Sequence, residues 1–183
     1  QAPMSLATNP KPNVMFVLDN SGSMAWDYMP DDLERAPTHA LLSAWCSGVA
    51  FDPTQTYDPP PRADGTSYGN ATFTAAWNDG FAGSGSGTVN LSGSRYSTYY
   101  VFRDSTAPAR DWRYDSNGAV DRSSDTYRYC MNESEAGRFE MRTVTATSDL
   151  AQKYANWYSY SRTRQLAMRT AAGSTTRRSS CKS

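Results

Sequence analysis

Only one stretch of the chain is continuously apolar. Val14-Met15-Phe16-Val17-Leu18 runs without a polar break after Asn13. An apolar run of this length without alternation predicts a strand buried on both faces, as in a parallel sheet covered by helices. A polar, proline-punctuated lead-in, Gln1–Pro12, precedes it, and Asp19-Asn20-Ser21-Gly22-Ser23-Met24 ends it. Beyond residue 25 the apolar positions come as short aromatic or β-branched runs between turn signals. Arg95–Arg103 (RYSTYYVFR) and Arg138–Thr147 (RFEMRTVTAT) predict strands. Asn117-Gly118, between Trp112-Arg113-Tyr114 and Val120, predicts a two-residue hairpin turn. Tyr127-Arg128-Tyr129 offers one more strand. Near residue 149 the period becomes helical. Leu150, Tyr154, Trp157, Met168 and Ala171 fall on one side, with Ser161 and Arg164 interrupting the stripe. Ser148 can cap this helix, Asp149 suits its first turn, and Gly173 is its natural stop. From 149 to 172 it would be about 36 Å long.

Composition alters how that pattern is read. Eight Leu, seven Val, six Phe and no Ile make about 11% of 183 residues, well under the ~20% below which chains tend to disorder. Disorder, however, comes with high net charge and few aromatics. Here 18 Lys+Arg balance 18 Asp+Glu, and twelve Tyr and five Trp are present. No window approaches the ~18–20 apolar residues of a membrane helix. The composition therefore excludes a membrane span, a coiled coil and an aliphatic enzyme core, and predicts a loop-rich body packed by Tyr and Trp. Charge is uneven: residues 150–183 carry seven basic groups and no acid. A helix whose acidic partners lie elsewhere accounts for this better than a nucleic-acid contact.

Candidate chemistry is sparse. His39 is the only histidine and lies in Ala-Pro-Thr-His-Ala-Leu-Leu, so neither a zinc site nor a Ser-His-Asp triad is expected, and His39 is read as a surface or half-buried residue. Gly83–Thr88 (GSGSGT) lacks the Lys of a phosphate loop and reads as a flexible turn. The cysteines are Cys46, Cys130 and Cys181. A Cys46–Cys130 disulfide is expected, with free buried thiols as the alternative. It would close a loop worth about 4 kcal/mol in chain entropy and leave Cys181 over. The pattern that carries chemistry is Asp19-x-Ser21-x-Ser23 directly after the apolar run. Open α/β sheets place ligands there, beyond the carboxyl ends of strands. One carboxylate and two hydroxyls are hard oxygen donors suited to Mg²⁺, Mn²⁺ or Ca²⁺. The alternative is an ordinary polar turn that caps a helix.

Three segments together resemble a known family. Asn13–Met24 (NVMFVLDNSGSM) is similar to the start of a von Willebrand factor A domain with its metal-ion-dependent adhesion site. Pro12-Asn13-Val14, the segment Phe51-Asp52-Pro53 to Tyr57-Asp58-Pro59-Pro60, and Tyr154–Arg164 (YANWYSYSRTR) resemble the PilY/PilC-type pilus-tip adhesins, which also act in type IV pilus assembly. The resemblance implies an α/β fold: part of a Rossmann-like A domain with one buried strand and one long helix, separated by a large irregular β-rich insertion. Residues 1–24 would be lead-in, strand and adhesion-site loop, 25–147 the insertion, and 148–183 the first A-domain helix with a basic tail. It carries over Asp19, Ser21 and Ser23 as metal ligands. In the family a Thr and an Asp from two later loops complete the site, and nothing after Gly173 matches them, so a divalent cation is expected to bind weakly to this chain alone.

The implied function is binding, not catalysis. The expectation is a secreted or cell-surface protein, exported through the periplasm, acting in adhesion and pilus assembly. Its partners would be minor pilins or the pilus tip, a host or surface ligand, and the rest of the A domain or another chain, with no nucleic acid and no membrane span. The alternative is a structural subunit of an extracellular filament or tip complex, completed by another chain.

Overall fold

The computed structural model describes residues 15, 17–93, 96–103 and 108–180, with side chains as far as 173. In chain order its elements are 3₁₀ turns at Gly22–Ala25 and Asp31–Arg35, helix α1 (Thr38–Leu41), strand β1 (Ala76–Trp77), a 3₁₀ turn at Gly83–Ser86, strands β2 (Thr88–Val89) and β3 (Thr98–Phe102), helix α2 (Asp125–Met131), a 3₁₀ segment at Glu133–Arg138, strand β4 (Phe139–Thr143), and helices α3 (Ala151–Tyr160) and α4 (Arg164–Ser180). Helix and strand are thus mixed, as expected. The sheets are two antiparallel pairs, β1–β2 and β3–β4, with Thr98 opposite Thr143 and Phe102 opposite Phe139.

Strand β3 positions the rest. A two-stranded ribbon is marginal by itself and needs packing, and this one is packed on both faces. Side chains alternate along a strand, so Tyr99 and Val101 enter one hydrophobic cluster while Tyr100 and Phe102 face another. The larger cluster joins Phe51, Phe73, Leu91, Tyr99 and Val144 to Tyr154, Trp157 and Tyr158 of α3. The smaller gathers Leu33, Ala40, Tyr129 and Phe139 around the Cys46–Cys130 disulfide. His39 is buried in this second cluster, its Nε2 3.1 Å from the Tyr129 carbonyl oxygen, not at the surface. The hairpin at Asn117-Gly118 forms, with Tyr114 bridged to Val120 and Gly118 at φ +79°.

Helix α3 is buried almost all round: Tyr154, Ala155, Asn156, Trp157, Tyr158, Ser159 and Tyr160 are all inside. Its polar groups are therefore tied down. Asn156 accepts from the Ala71 N–H at 2.9 Å and donates to the Tyr57 carbonyl at 2.9 Å and to Asn70 Oδ1 at 3.0 Å. Trp157 Nε1 donates to the Val49 carbonyl and the Tyr160 hydroxyl to that of Gly69. Gly80 donates to the Ser159 carbonyl at 2.8 Å, and a Cβ there would sit 2.3 Å from the Tyr160 ring, so only glycine permits this approach.

Four further expectations are corrected. The apolar run is no buried strand: Met15 and Val17 are each 86% exposed and Leu18 45%, outside any strand. No described strand lies beside them to pair with. Val14 and Phe16 lie outside the described residues. The long helix is two, because Ser161, Arg162 and Thr163 break it. The Thr163 hydroxyl then accepts from the Leu166 N–H and starts α4, which runs through Gly173 to Ser180. Ser148 does not cap: its hydroxyl is buried without a partner among the described residues, and α3 starts after Leu150. Tyr127-Arg128-Tyr129 lies in α2, which Ser124 caps through the Tyr127 N–H. A side-chain cap outweighs the strand propensity of two tyrosines. The leftover Cys181 lies outside the described residues.

Candidate functional site

Asp19, Ser21 and Ser23 come together. The Asp19 carboxylate accepts from the Ser21 N–H at 2.8 Å and from the Ser21 hydroxyl at 2.9 Å, and Ser21 Oγ lies 2.9 Å from Ser23 Oγ. Ser21 thus stands between the other two oxygens. It also precedes the Gly22–Ala25 turn, whose Met24 N–H returns to the Ser21 carbonyl. The hydrogen bonds from Ser21 hold the exposed Asp19 carboxyl below the usual carboxylate range, so it is ionised at neutral pH.

The Asp19–Ser21 pairing alone marks nothing special. Asp52 with Thr54, Asp64 with Thr66 and Asp121 with Ser123 each repeat it, the carboxylate accepting both the N–H and the hydroxyl two residues on. These are local turns closed by a short acidic side chain. At Asp19 a third oxygen, Ser23 Oγ, joins within hydrogen-bond distance. Three hard oxygens with one charge fit part of the shell of Mg²⁺ or Ca²⁺, which take six or more oxygen ligands in all. Among the described residues, no group of three or more His, Cys, Asp and Glu side chains gathers to hold a metal, at this loop or elsewhere.

The loop is fastened to the start of α4, which sequence reasoning missed. The Arg164 N–H donates to the Trp26 carbonyl at 3.1 Å and its Nε to that of Tyr28 at 2.7 Å, while Nη1 pairs with Asp31. The guanidinium lies 4.9 Å from the Trp26 ring and 5.4 Å from that of Tyr28. Gln165 Nε2 reaches Asn20 Oδ1 at 3.3 Å. Arg169 pairs with Asp79 at 3.0 Å. The acidic partners expected for the basic helix therefore come in part from far upstream. The available signal was the excess of acid in residues 1–149, which does not say which carboxylate pairs with which arginine.

Three relatives are similar to this chain, all called type IV pilus biogenesis factor PilY1 and all from Pseudomonas aeruginosa. The proteins of strains PAO1 and PAK are each 30% identical over 183 residues, and that of strain UCBPP-PA14 is 32% identical over 190 residues. Each alignment covers 94% of this chain but only 15% of the relative's length. No family model and no solved structure matches the chain. No helix among the described residues is long and apolar enough to cross a membrane. Over the stretch it covers, the chain is similar in sequence to these PilY1 proteins.

Proposed function

We propose that the chain is the adhesion-loop segment of a pilus-associated biogenesis and adhesion protein at the cell surface. In this reading it binds partners and catalyses nothing. Asp19, Ser21 and Ser23 form half of a metal-ion-dependent adhesion site in a von Willebrand factor A domain, and residues 148–183, which hold α3 and α4, carry that domain's first helix and a basic tail. The observation that carries this is the 2.9 Å approach of Ser23 to Ser21 in a loop held against α4. Among the described residues, the turns at Asp52, Asp64 and Asp121 show no third hydroxyl of this kind. The intervening residues act as an insertion that returns the chain so that Arg164 meets Trp26 and Tyr28. A divalent cation here would keep open positions for an acidic group of a partner: a minor pilin, another tip component or a surface ligand. The buried disulfide supports export through an oxidising compartment.

Paramagnetic broadening by Mn²⁺ tests this. Amide signals of Ser21 to Met24 should broaden first, at weak affinity, and Asp19→Asn and Asp19→Ala should abolish the effect. Tight Mg²⁺ binding by calorimetry that survives Asp19→Ala would overturn it.

The exposed Met15, Val17 and Leu18 favour a second reading, a structural subunit whose sheet is completed by another chain. Light scattering after size exclusion separates the two, since a stable monomer counts against the subunit.

A further inference from the structure

A cavity of about 290 Å³ opens between α1, β3 and α3. Phe51, Tyr99, Tyr154, Trp157 and Tyr158 line it, with Leu41 and Leu42 on one side. The rings meet edge to face: Phe51 crosses Tyr99 at 82°, Tyr154 at 64° and Trp157 at 63°, and Trp157 crosses Tyr158 at 73°. Such contacts bury the rings well but leave between them a gap that no side chain fills. The volume lies at the bottom of the roughly 300–1,000 Å³ span of small-molecule sites. It suits a ligand of about one ring.

Arg162 and Asp27 bring charge to this apolar hole. Arg162 Nη1 donates to the Tyr158 carbonyl at 2.7 Å, and the guanidinium lies 4.2 Å from the Tyr158 ring. Two neighbouring arginines each hold a carboxylate, Arg164 with Asp31 and Arg169 with Asp79. Arg162 holds none at ion-pair distance among the described residues. Asp27 and Asp79 act on it only from farther away, and burial pulls its pKa below the ordinary arginine range. A half-buried guanidinium has five N–H donors in a planar fork that matches a carboxylate. Here its carbonyl contact leaves most of that fork for a ligand.

We propose that this cavity binds a small arylcarboxylate, with the ring among Phe51, Tyr154 and Trp157 and the carboxylate on the Arg162 guanidinium. A neutral ring would leave the guanidinium uncompensated, and a small inorganic anion would leave the apolar gap empty. The cavity is lined by none of Asp19, Ser21 and Ser23, so it stands or falls apart from the metal reading.

Calorimetric titration of the full chain with phenylacetate, phenylacetamide and acetate tests it, with Trp fluorescence as a second readout. Phenylacetate should bind at least tenfold more tightly than either of the others. Arg162→Met should remove that preference while leaving phenylacetamide unchanged, and Arg162→Lys should restore part of it. Asp27→Asn, which removes a competing carboxylate, should tighten phenylacetate binding several-fold. Melting curves show whether each variant is folded. Equal affinity for acid and amide, no phenylacetate binding, or a preference that survives Arg162→Met each overturns the proposal.

Discussion

The residues that look greasiest are outside, and those that look half polar are inside. Met15, Val17 and Leu18 stand exposed beside the candidate loop, while Tyr154, Asn156, Trp157, Ser159 and Tyr160 are buried on α3. Burial follows from available partners more than from hydrophobicity. The α3 residues have aromatic neighbours to pack on and a carbonyl or amide for most polar atoms. Met15, Val17 and Leu18 have no described strand beside them, and their side chains stay exposed. A sequence of few aliphatics can thus build a core if each Tyr, Trp and Asn finds its hydrogen bond.

Removing the centre of the buried side gives the largest expected effect. Trp157→Ala deletes a ring that touches Phe51 and Tyr154 and donates to the Val49 carbonyl. It should cost about 3–5 kcal/mol, read from denaturant melts. Asn156→Leu keeps the branched shape but leaves the Ala71 N–H and the Tyr57 carbonyl without their side-chain partner inside. A cost of about 2–3 kcal/mol is expected. A value near zero would mean that polar satisfaction is not what lets α3 be buried.

Alkaline pH probes the same side more gently. Burial pushes the Tyr160 phenol from 10.0 up to about 12, and that of Tyr154 higher still. The folded state therefore favours the neutral phenols. Their contribution is complete below the unfolded pKa near 10 and is lost as pH rises through the folded values. Melting temperature should be level up to about pH 10 and then fall. Tyr160→Phe should reduce that fall. It should itself cost about 1 kcal/mol at neutral pH through the bond to Gly69.

What could be read from the sequence follows from the range of the forces involved. Local patterns were legible: β3 and β4 fall within their expected segments, and the Asn117-Gly118 turn forms. The triad Asp19, Ser21 and Ser23 was legible because five consecutive residues contain it. The disulfide was expected, with free thiols as the alternative, because 84 residues separate its ends and spacing alone cannot pair them. The break at Ser161–Thr163 was half visible as an interruption of the stripe. Its consequence was not, since it depends on Arg164 meeting Trp26, Tyr28 and Asp31 from more than 130 positions away. The buried strand failed for the same reason. An apolar run states what a strand needs but cannot say whether its neighbours are there.

Val17→Asp should do the least and say the most about that failure. A charge at a site 86% exposed should change the stability of this chain by no more than about 0.5 kcal/mol. A buried strand would not tolerate it, because an unpaired carboxylate inside a sheet costs several kcal/mol. The same substitution in a longer PilY1-type protein that carries further strands should then be far more damaging, measured as the difference between two melting shifts. If Val17→Asp already lowers the melting temperature of this chain as much as Asn156→Leu does, the apolar run is packed here after all. The contrast between its exposed residues and the buried α3 would then be gone.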